Sequence, residues 1–175
     1  LLYPTPVIGP KKWQLKQDRT KPAPYSDIVH FVIPSWPQST EDDILLCSEV
    51  KTKSTNQSSL PIQAAIDDSK KDRTSRLAKT LAWLKERALH AELGSVTIEH
   101  LDRFLKATDH PPYIKQFRAV AVICSSLIDD EINKMPSELP SDSIVVVISV
   151  PNLKTLYEAV FDAVIGTVAS TEGAA

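Results

Sequence analysis

The sequence predicts an α/β domain in which helices pack against a mixed β-sheet. Three observations predict this class. Two short β-rich segments lie close together near the start, a long stretch with helical spacing follows, and two nearly continuous apolar runs precede a final helix. The chain has 175 residues, of which 42% are hydrophobic, and this is enough for one domain of ordinary size with a real core.

The first two strands are predicted near the N-terminus. Residues 25–33 are rich in β-branched and aromatic residues and stop at Pro34, while residues 44–51 form a second run of the same kind. The turn-like connection between them is short enough for the two strands to be antiparallel neighbours. The proline-rich residues 1–24 predict an irregular N-terminal segment, in which we expect a short edge strand at residues 11–16.

The middle of the chain is predicted to be helical. Apolar residues recur at helical spacings over residues 61–92, and a polar stretch at residues 67–75 is expected to break this region into two helices. A further helix is predicted to begin at Ser95 or Thr97, and its apolar stripe ends before Pro111.

Two strands and a helix are predicted toward the C-terminus. Residues 117–124 and 143–150 are nearly continuous apolar runs, which are typical of central strands covered on both faces. Residues 153–165 form a final amphipathic helix. The folded domain is therefore expected to span residues 25–168, followed by a tail at residues 169–175.

The composition narrows the functional classes. A net charge of -2 excludes a polycation, although a local basic face remains compatible with it. Cys47 and Cys124 lie in apolar strand-like runs, so we expect two free thiols in a reducing cytoplasm rather than a disulfide framework or a CxxC metal site. No apolar run reaches the roughly 18 residues of a membrane span, and no signal peptide is visible. Because the chain starts at Leu1 without a methionine, we expect a fragment or a processed product.

The end of the second predicted strand has the clearest chemical character. Side chains two apart on a strand point to the same face, so Glu49 and Lys51 emerge side by side after an apolar run. Charges are rare in such strands unless they are paired or hold a metal. Asp27 starts the preceding strand, and an antiparallel partner starts where its neighbour ends, so we expect Asp27 near Glu49. The alternatives are a surface ion pair and an ordinary strand-start aspartate.

Two carboxylates beside a lysine suit the hydrolysis of a phosphodiester. Carboxylates hold hard divalent ions such as Mg²⁺, which polarise a phosphoryl oxygen and lower the pKa of a water. A lysine beside them can orient that water or stabilise the developing negative charge. The three residues therefore predict metal-dependent cleavage of nucleic acid.

An aspartate on one strand and Glu-x-Lys on the next, followed by a helix, resembles the PD-(D/E)XK nuclease superfamily. The resemblance implies a restriction-endonuclease-like fold, in which Asp27 and Glu49 hold Mg²⁺ or Mn²⁺. It also implies that the backbone carbonyl of Val50 is a third ligand and that Lys51 is the catalytic lysine. The sequence departs from the superfamily's pattern in that Ser26, not a proline, precedes Asp27. The further acidic residue that many members carry on an upstream helix is not found.

A looser likeness extends over about residues 25–168. In order and spacing, this part of the chain is similar to the nuclease subunit of the Hachiman anti-phage defence system. The elements that carry the similarity are the Glu-Val-Lys strand, the helix start at residues 63–65, the long basic helix, and the apolar strand with the strand and helix that follow it. This resemblance implies a DNA substrate and a helicase partner.

Contacts with DNA are expected from the helix after the Glu-x-Lys strand. Gln63 lies where some superfamily members place a polar residue near the site. Lys70, Lys71 and Arg73 belong to a basic stretch that could track a phosphate backbone. Acidic residues are interleaved with them, so a solvated helix face is the alternative.

These features predict a Mg²⁺-dependent deoxyribonuclease in which a water activated by the metal attacks the phosphorus. The alternative is a non-catalytic module of the same fold that binds nucleic acid or another subunit. Convergence of the Asp27 and Glu49 carboxylates in a cleft would distinguish the first from the second.

Overall fold

The computed structural model describes residues 6–16, 18, 20–136 and 144–172, with side chains as far as residue 166. These residues form one five-stranded sheet with helices against it, which confirms the predicted α/β class. The strands, in chain order and also in the order of the sheet, are β1 (Val7–Ile8), β2 (Ile28–Val32), β3 (Ile44–Lys53), β4 (Ile114–Cys124) and β5 (Ile144–Val150).

The sheet is mixed because its two halves are connected differently. β1 pairs antiparallel with β2, and β2 pairs antiparallel with β3, as predicted for β2 and β3. β4 pairs parallel with β3, and β5 pairs parallel with β4, since helices intervene between these strands along the chain. The helices are α1 (Pro61–Lys71), α2 (Leu77–Ala88), α3 (Ile98–Leu105), α4 (Ile128–Asn133) and α5 (Leu153–Glu172).

A π-helical segment, Asp72–Arg76, joins α1 to α2 without a break. The polar stretch that was expected to separate two helices therefore widens one turn instead of ending the helix. The continuous helix lies on one face of the sheet, and its apolar side chains form two buried clusters with the odd-numbered residues of β3 and β4. Those residues are Leu77, Leu81 and Leu84 with Leu45, Cys47 and Phe117, and Ile62, Ala65 and Ile66 with Ala119, Ala121 and Ile123.

Two predicted strands differ from the observed ones. Residues 12–15 form a 3₁₀ turn, and the short edge strand is β1. β5 is the last strand of the sheet within the described residues, and its side chains are half-buried or exposed, so the prediction of a central strand there is wrong. An unbroken apolar run shows that neither face of the strand carries charged side chains. It does not show whether the strand is central or at the edge, because that position depends on which strands pair in the folded protein. Residue 143, the predicted start of this strand, lies outside the described residues.

Smaller expectations are confirmed. Cys47 and Cys124 are free and buried. Thr97 is the N-cap of α3, where its hydroxyl accepts a hydrogen bond from the backbone N–H of His100 at 3.4 Å. None of the helices in the described part of the chain is long and apolar enough to cross a membrane.

A buried ion pair fastens the connection between β2 and β3 to the helical layer. Arg103 Nε donates to Asp43 Oδ2 at 2.6 Å, and both side chains are almost completely inaccessible to solvent. Arg103 Nη2 also donates to the Thr40 carbonyl at 2.9 Å. The backbone carbonyl of Asp43 accepts from Ile114 N–H at 2.9 Å, so this residue ties together the starts of β3 and β4.

We expect Arg103→Met to lower the free energy of unfolding by about 3–5 kcal/mol, because it leaves the Asp43 carboxylate buried without its partner. Urea denaturation measures the change. Lys106→Met is the matched control: it removes an ion pair to Asp102 at 2.9 Å whose lysine is 53% exposed, and it should leave the free energy of unfolding close to the wild-type value. Equal losses in the two variants would contradict the assignment of Arg103.

Candidate functional site

Asp27 and Glu49 meet where β2 begins and β3 continues past it. The last pair in the register joins Ile28 to Ser48, which places Asp27 opposite Glu49 on the same face of the sheet. Asp27 N–H donates to Glu49 Oε1 at 3.1 Å, and Val50 N–H donates to Asp27 Oδ2 at 3.0 Å. Each carboxylate is thus bonded to the backbone of the other strand. The structure brings together the two acids that strand pairing predicts to be neighbours.

The two carboxylates lie in different surroundings. The side chain of Asp27 is exposed, whereas Glu49 is only 2% exposed. Burial, followed by a hydrogen bond with Asp72 and the negative charges of Asp72 and Asp27, raises the pKa of Glu49 from 4.5 to about 8. Glu49 therefore holds a proton at neutral pH in the absence of a cation, in the way that paired carboxylates share one proton.

Lys51 lies beside Glu49 but is bound more tightly by a residue of α1. Its Nζ is 3.6 Å from Glu49 Oε2 and 2.7 Å from Asp68 Oδ2. Burial lowers the pKa of Lys51, but the hydrogen bond and charge of Asp68, together with Asp27 and Glu49, outweigh it and raise the pKa overall. Burial of Asp68 is likewise outweighed by Lys51 and Lys71, which hold the pKa of this carboxyl down at about 2. Lys51 is therefore a fixed positive charge at the site.

Two further polar residues at the site were not predicted. Asp72, at the start of the π segment, is one of the acidic residues interleaved with the basic stretch, for which a solvated helix face was the alternative. It is instead 1% exposed and accepts hydrogen bonds from Ser26 Oγ at 2.8 Å and Cys47 Sγ at 3.2 Å. Lys12 is 6% exposed, and its Nζ donates to the backbone carbonyls of Pro24 and Ser26. Burial lowers the pKa of Lys12, although the neighbouring acids oppose this. Acidic and basic residues alternate irregularly over residues 67–76, and this pattern did not separate Asp72 from its exposed neighbours.

The predicted DNA-contacting residues lie along α1 and the π segment, before and after Asp68, the residue of α1 that binds Lys51. Gln63 Nε2 donates to Asp67 Oδ1 at 2.9 Å. Lys70 and Lys71 are about half exposed and pair with acids one turn earlier, at 3.6 Å and 2.7 Å. The Arg73 guanidinium lies over the ring of Phe117, 5.1 Å from its centroid. Lys71 is linked to the site through Asp68, which also binds Lys51.

The side chains suit a hard divalent cation in their donor chemistry. Mg²⁺ commonly keeps several waters and takes only one or two carboxylates from a protein, and Asp27 and Glu49 supply two on adjacent strands. N–H and C=O of one strand residue point toward the same neighbour, so the Val50 carbonyl is directed to the Asp27 side of β3. In the described part of the chain, no group of three or more His, Cys, Asp or Glu side chains is arranged to hold a metal. A site here would thus rest on the two carboxylates and a backbone oxygen.

Comparison with known proteins identifies the family of the chain. The family model of HamA matches residues 2–164. The chain belongs to the HamA family. HamA is a component of the multi-protein Hachiman anti-phage defence system, so the weaker of the two resemblances is confirmed and a role in defence against phage follows. No curated protein and no solved structure matches the chain significantly.

The raised pKa of Glu49 makes the stability of the metal-free HamA-family protein depend on pH. Between about 4.5 and 8 the folded state holds a proton on Glu49 that the unfolded chain releases, so the free energy of unfolding falls as the pH rises through this window. We expect Glu49→Gln, which keeps the shape without the charge, to flatten that decline. Urea denaturation in EDTA at pH 5, 6.5 and 8 measures it.

Glu86→Gln is the control for this pH series, because the Glu86 side chain is 64% exposed and pairs with Arg87 at 3.7 Å. It should leave the pH dependence as in the wild type. A Glu49→Gln profile that declines as steeply as the wild-type profile would show that Glu49 titrates normally.

Proposed function

We propose that this HamA-family protein is a metal-dependent nuclease that hydrolyses DNA phosphodiester bonds as the effector of its defence system. The observation that carries the proposal is the convergence of Asp27 and Glu49 where β2 begins beside β3, with Lys51 on the same face and 3.6 Å from Glu49. A chance surface ion pair would not require a second carboxylate, 22 residues away in sequence, to bond to the backbone of the same strand. Family membership supports the setting in anti-phage defence.

Each residue has a separate role in the proposed reaction. Asp27, Glu49 and the Val50 carbonyl would hold Mg²⁺ or Mn²⁺. When bound, the cation polarises a phosphoryl oxygen and lowers the pKa of a water at the site. Glu49 gives up its proton on metal binding, because a positive charge favours the carboxylate over the neutral acid.

Lys51 acts as a cation rather than as a base. Its pairing with Asp68 keeps it protonated, so it is suited to orient the attacking water and to stabilise the negative charge that develops on the phosphoryl oxygens. Asp68 holds the ammonium group in place through the 2.7 Å contact. We therefore propose that Lys51 positions the water and stabilises negative charge, and that it does not take a proton from the water.

The DNA backbone is proposed to run from Lys51 along α1. Lys70 and Lys71 are exposed there, and their present partners are carboxylates of the same helix, which a phosphate can replace. Gln63 and Arg73 flank them on the same continuous helix. Contacts of this kind fix the position of the backbone without reading its sequence.

We expect Glu49→Ala and Lys51→Ala each to reduce cleavage of plasmid DNA in Mg²⁺ or Mn²⁺ by about 100-fold or more, because each removes a charge used at the reacting phosphate. Gel assays on supercoiled, linear and single-stranded DNA measure the rate. Glu86→Ala and Lys79→Ala, which change exposed charges on α2, should cleave like the wild type. Undiminished cleavage by both Glu49→Ala and Lys51→Ala would contradict the proposed mechanism.

A second candidate function, binding to another subunit, is favoured by α5. From residue 154 to residue 166 its side chains are exposed, and they include Phe161, Val164 and Ile165 at 65%, 55% and 66%. A row of large apolar side chains of this kind usually marks a protein interface. Because HamA acts in a multi-protein system, we propose that a helicase subunit covers this face.

We expect the double variant Phe161→Glu and Val164→Glu to lose co-purification with the helicase subunit of the same system, since it places two charges in an apolar contact. DNA cleavage by the isolated chain should be retained, because α5 lies away from Asp27 and Glu49. Lys154→Gln, a polar change at 65% exposure on the same helix, is the control. Full co-purification of the double variant would exclude α5 as the docking surface.

A further inference from the structure

Ser26 immediately precedes Asp27, and its N–H, hydroxyl and carbonyl all form hydrogen bonds. It is fully buried. Its N–H donates to Thr80 Oγ1 at 3.2 Å, its hydroxyl donates to Asp72 Oδ1 at 2.8 Å, and its carbonyl accepts from Lys12 Nζ. Thr80 Oγ1 also lies 3.1 Å from Ser26 Oγ and 2.9 Å from the Arg76 carbonyl, and its one proton can be donated to either.

These contacts come from two parts of the chain, the N-terminal 3₁₀ turn and the continuous helix formed by α1, the π segment and α2. Lys12 belongs to the N-terminal 3₁₀ turn, Asp72 begins the π segment, and Thr80 lies in α2. In an α-helix of about 3.6 residues per turn, positions eight apart drift around the axis. The wider π turn between Asp72 and Thr80 reduces that drift, so both side chains reach the same serine.

The backbone around Ser26 needs such support. Tyr25 has φ = 64°, in the left-handed region that residues other than glycine rarely adopt. Such a conformation persists where the surrounding contacts hold it. On the other side of Ser26, Asp27 lies just before the first residue of β2, so the sheet alone does not fix it.

We propose that Thr80 and Lys12 are positioning residues that grip Ser26 and thereby hold Asp27 against Glu49. This inference rests on the proposed metal site, because the hydrogen bonds to Ser26 would keep the two carboxylates close enough to bind the same cation. Because the strand register ends at Ile28 and Asp27 is exposed, Asp27 could move away without the hydrogen bonds to Ser26. The bonds from Asp27 N–H to Glu49 and from Val50 N–H to Asp27 would then be lost together.

The test compares Thr80→Val, which keeps the shape of the side chain but removes the hydroxyl, with Thr80→Ser, which restores it. Calorimetric titration with Mn²⁺ gives the affinity, and hydrogen exchange at the Asp27 amide reports the bond to Glu49 without reference to metal or activity. We expect Thr80→Val to bind Mn²⁺ about 10-fold more weakly and to exchange Asp27 N–H faster. Thr80→Ser should return both to near the wild-type values.

Thr97→Val is the matched control, because it removes the N-cap hydroxyl of α3, at a distance from the site. It should lower the melting temperature while leaving Mn²⁺ affinity and Asp27 exchange unchanged. Lys12→Met, which replaces a buried cation by an apolar side chain of similar length, is the second variant if Thr80→Val does not fold. It should show the same weakened Mn²⁺ binding.

Unchanged Mn²⁺ affinity and Asp27 exchange in the folded Thr80→Val or Lys12→Met protein would overturn the inference. So would equal changes in Thr97→Val, because the effect would then be general destabilisation. If the wild type neither binds Mn²⁺ nor cleaves DNA, the proposed function fails by itself, and the exchange data still decide. Faster exchange confined to the Ser26-contacting variants supports the positioning role, and unchanged exchange refutes it.

Discussion

The collection of three carboxylates, Asp27, Glu49 and Asp72, in one small region is the constraint around which this fold is organised. Like charges in a partly buried site repel strongly, so each acid must be bonded, neutralised or matched by a cation. Asp27 bonds to the Val50 backbone, Glu49 holds a proton when no cation is present, and Asp72 accepts from a hydroxyl and a thiol. A divalent ion would relieve the same repulsion, and this links the electrostatics to the proposed chemistry.

The long helix after β3 meets this constraint and builds the core at the same time. One set of its side chains packs on the sheet, while Asp68, Asp72 and Thr80 face the ends of β2 and β3. A regular α-helix would rotate these polar residues out of line over three turns. The π segment between α1 and α2 compensates, and π turns of this kind are frequent at functional sites.

Much of the strand framework could be predicted from periodicity. The pairing of β2 with β3 follows from two β-rich segments with a short connection, and the two-residue repeat of a strand places Glu49 and Lys51 on one face. Other elements could not be predicted in this way. The apolar run of β5 has no polar alternation to show that it is the last strand of the sheet within the described residues. Lys12 is a buried cation within a segment that was predicted to form a short edge strand.

The sequence by itself thus determined the α/β class, the antiparallel pair that brings Asp27 opposite Glu49, and the Glu-x-Lys pattern, because each depends on local periodicity or a short connection. Only the tertiary structure decided that Asp72, Thr80 and Lys12 converge on Ser26. The first two lie 46 and 54 residues from it, and such contacts leave no local repeat in the chain. These contacts depend on the directions in which Asp72 and Thr80 point from the helix. The π turn brings the two directions together, and the packing of the helix on the sheet aims them at Ser26.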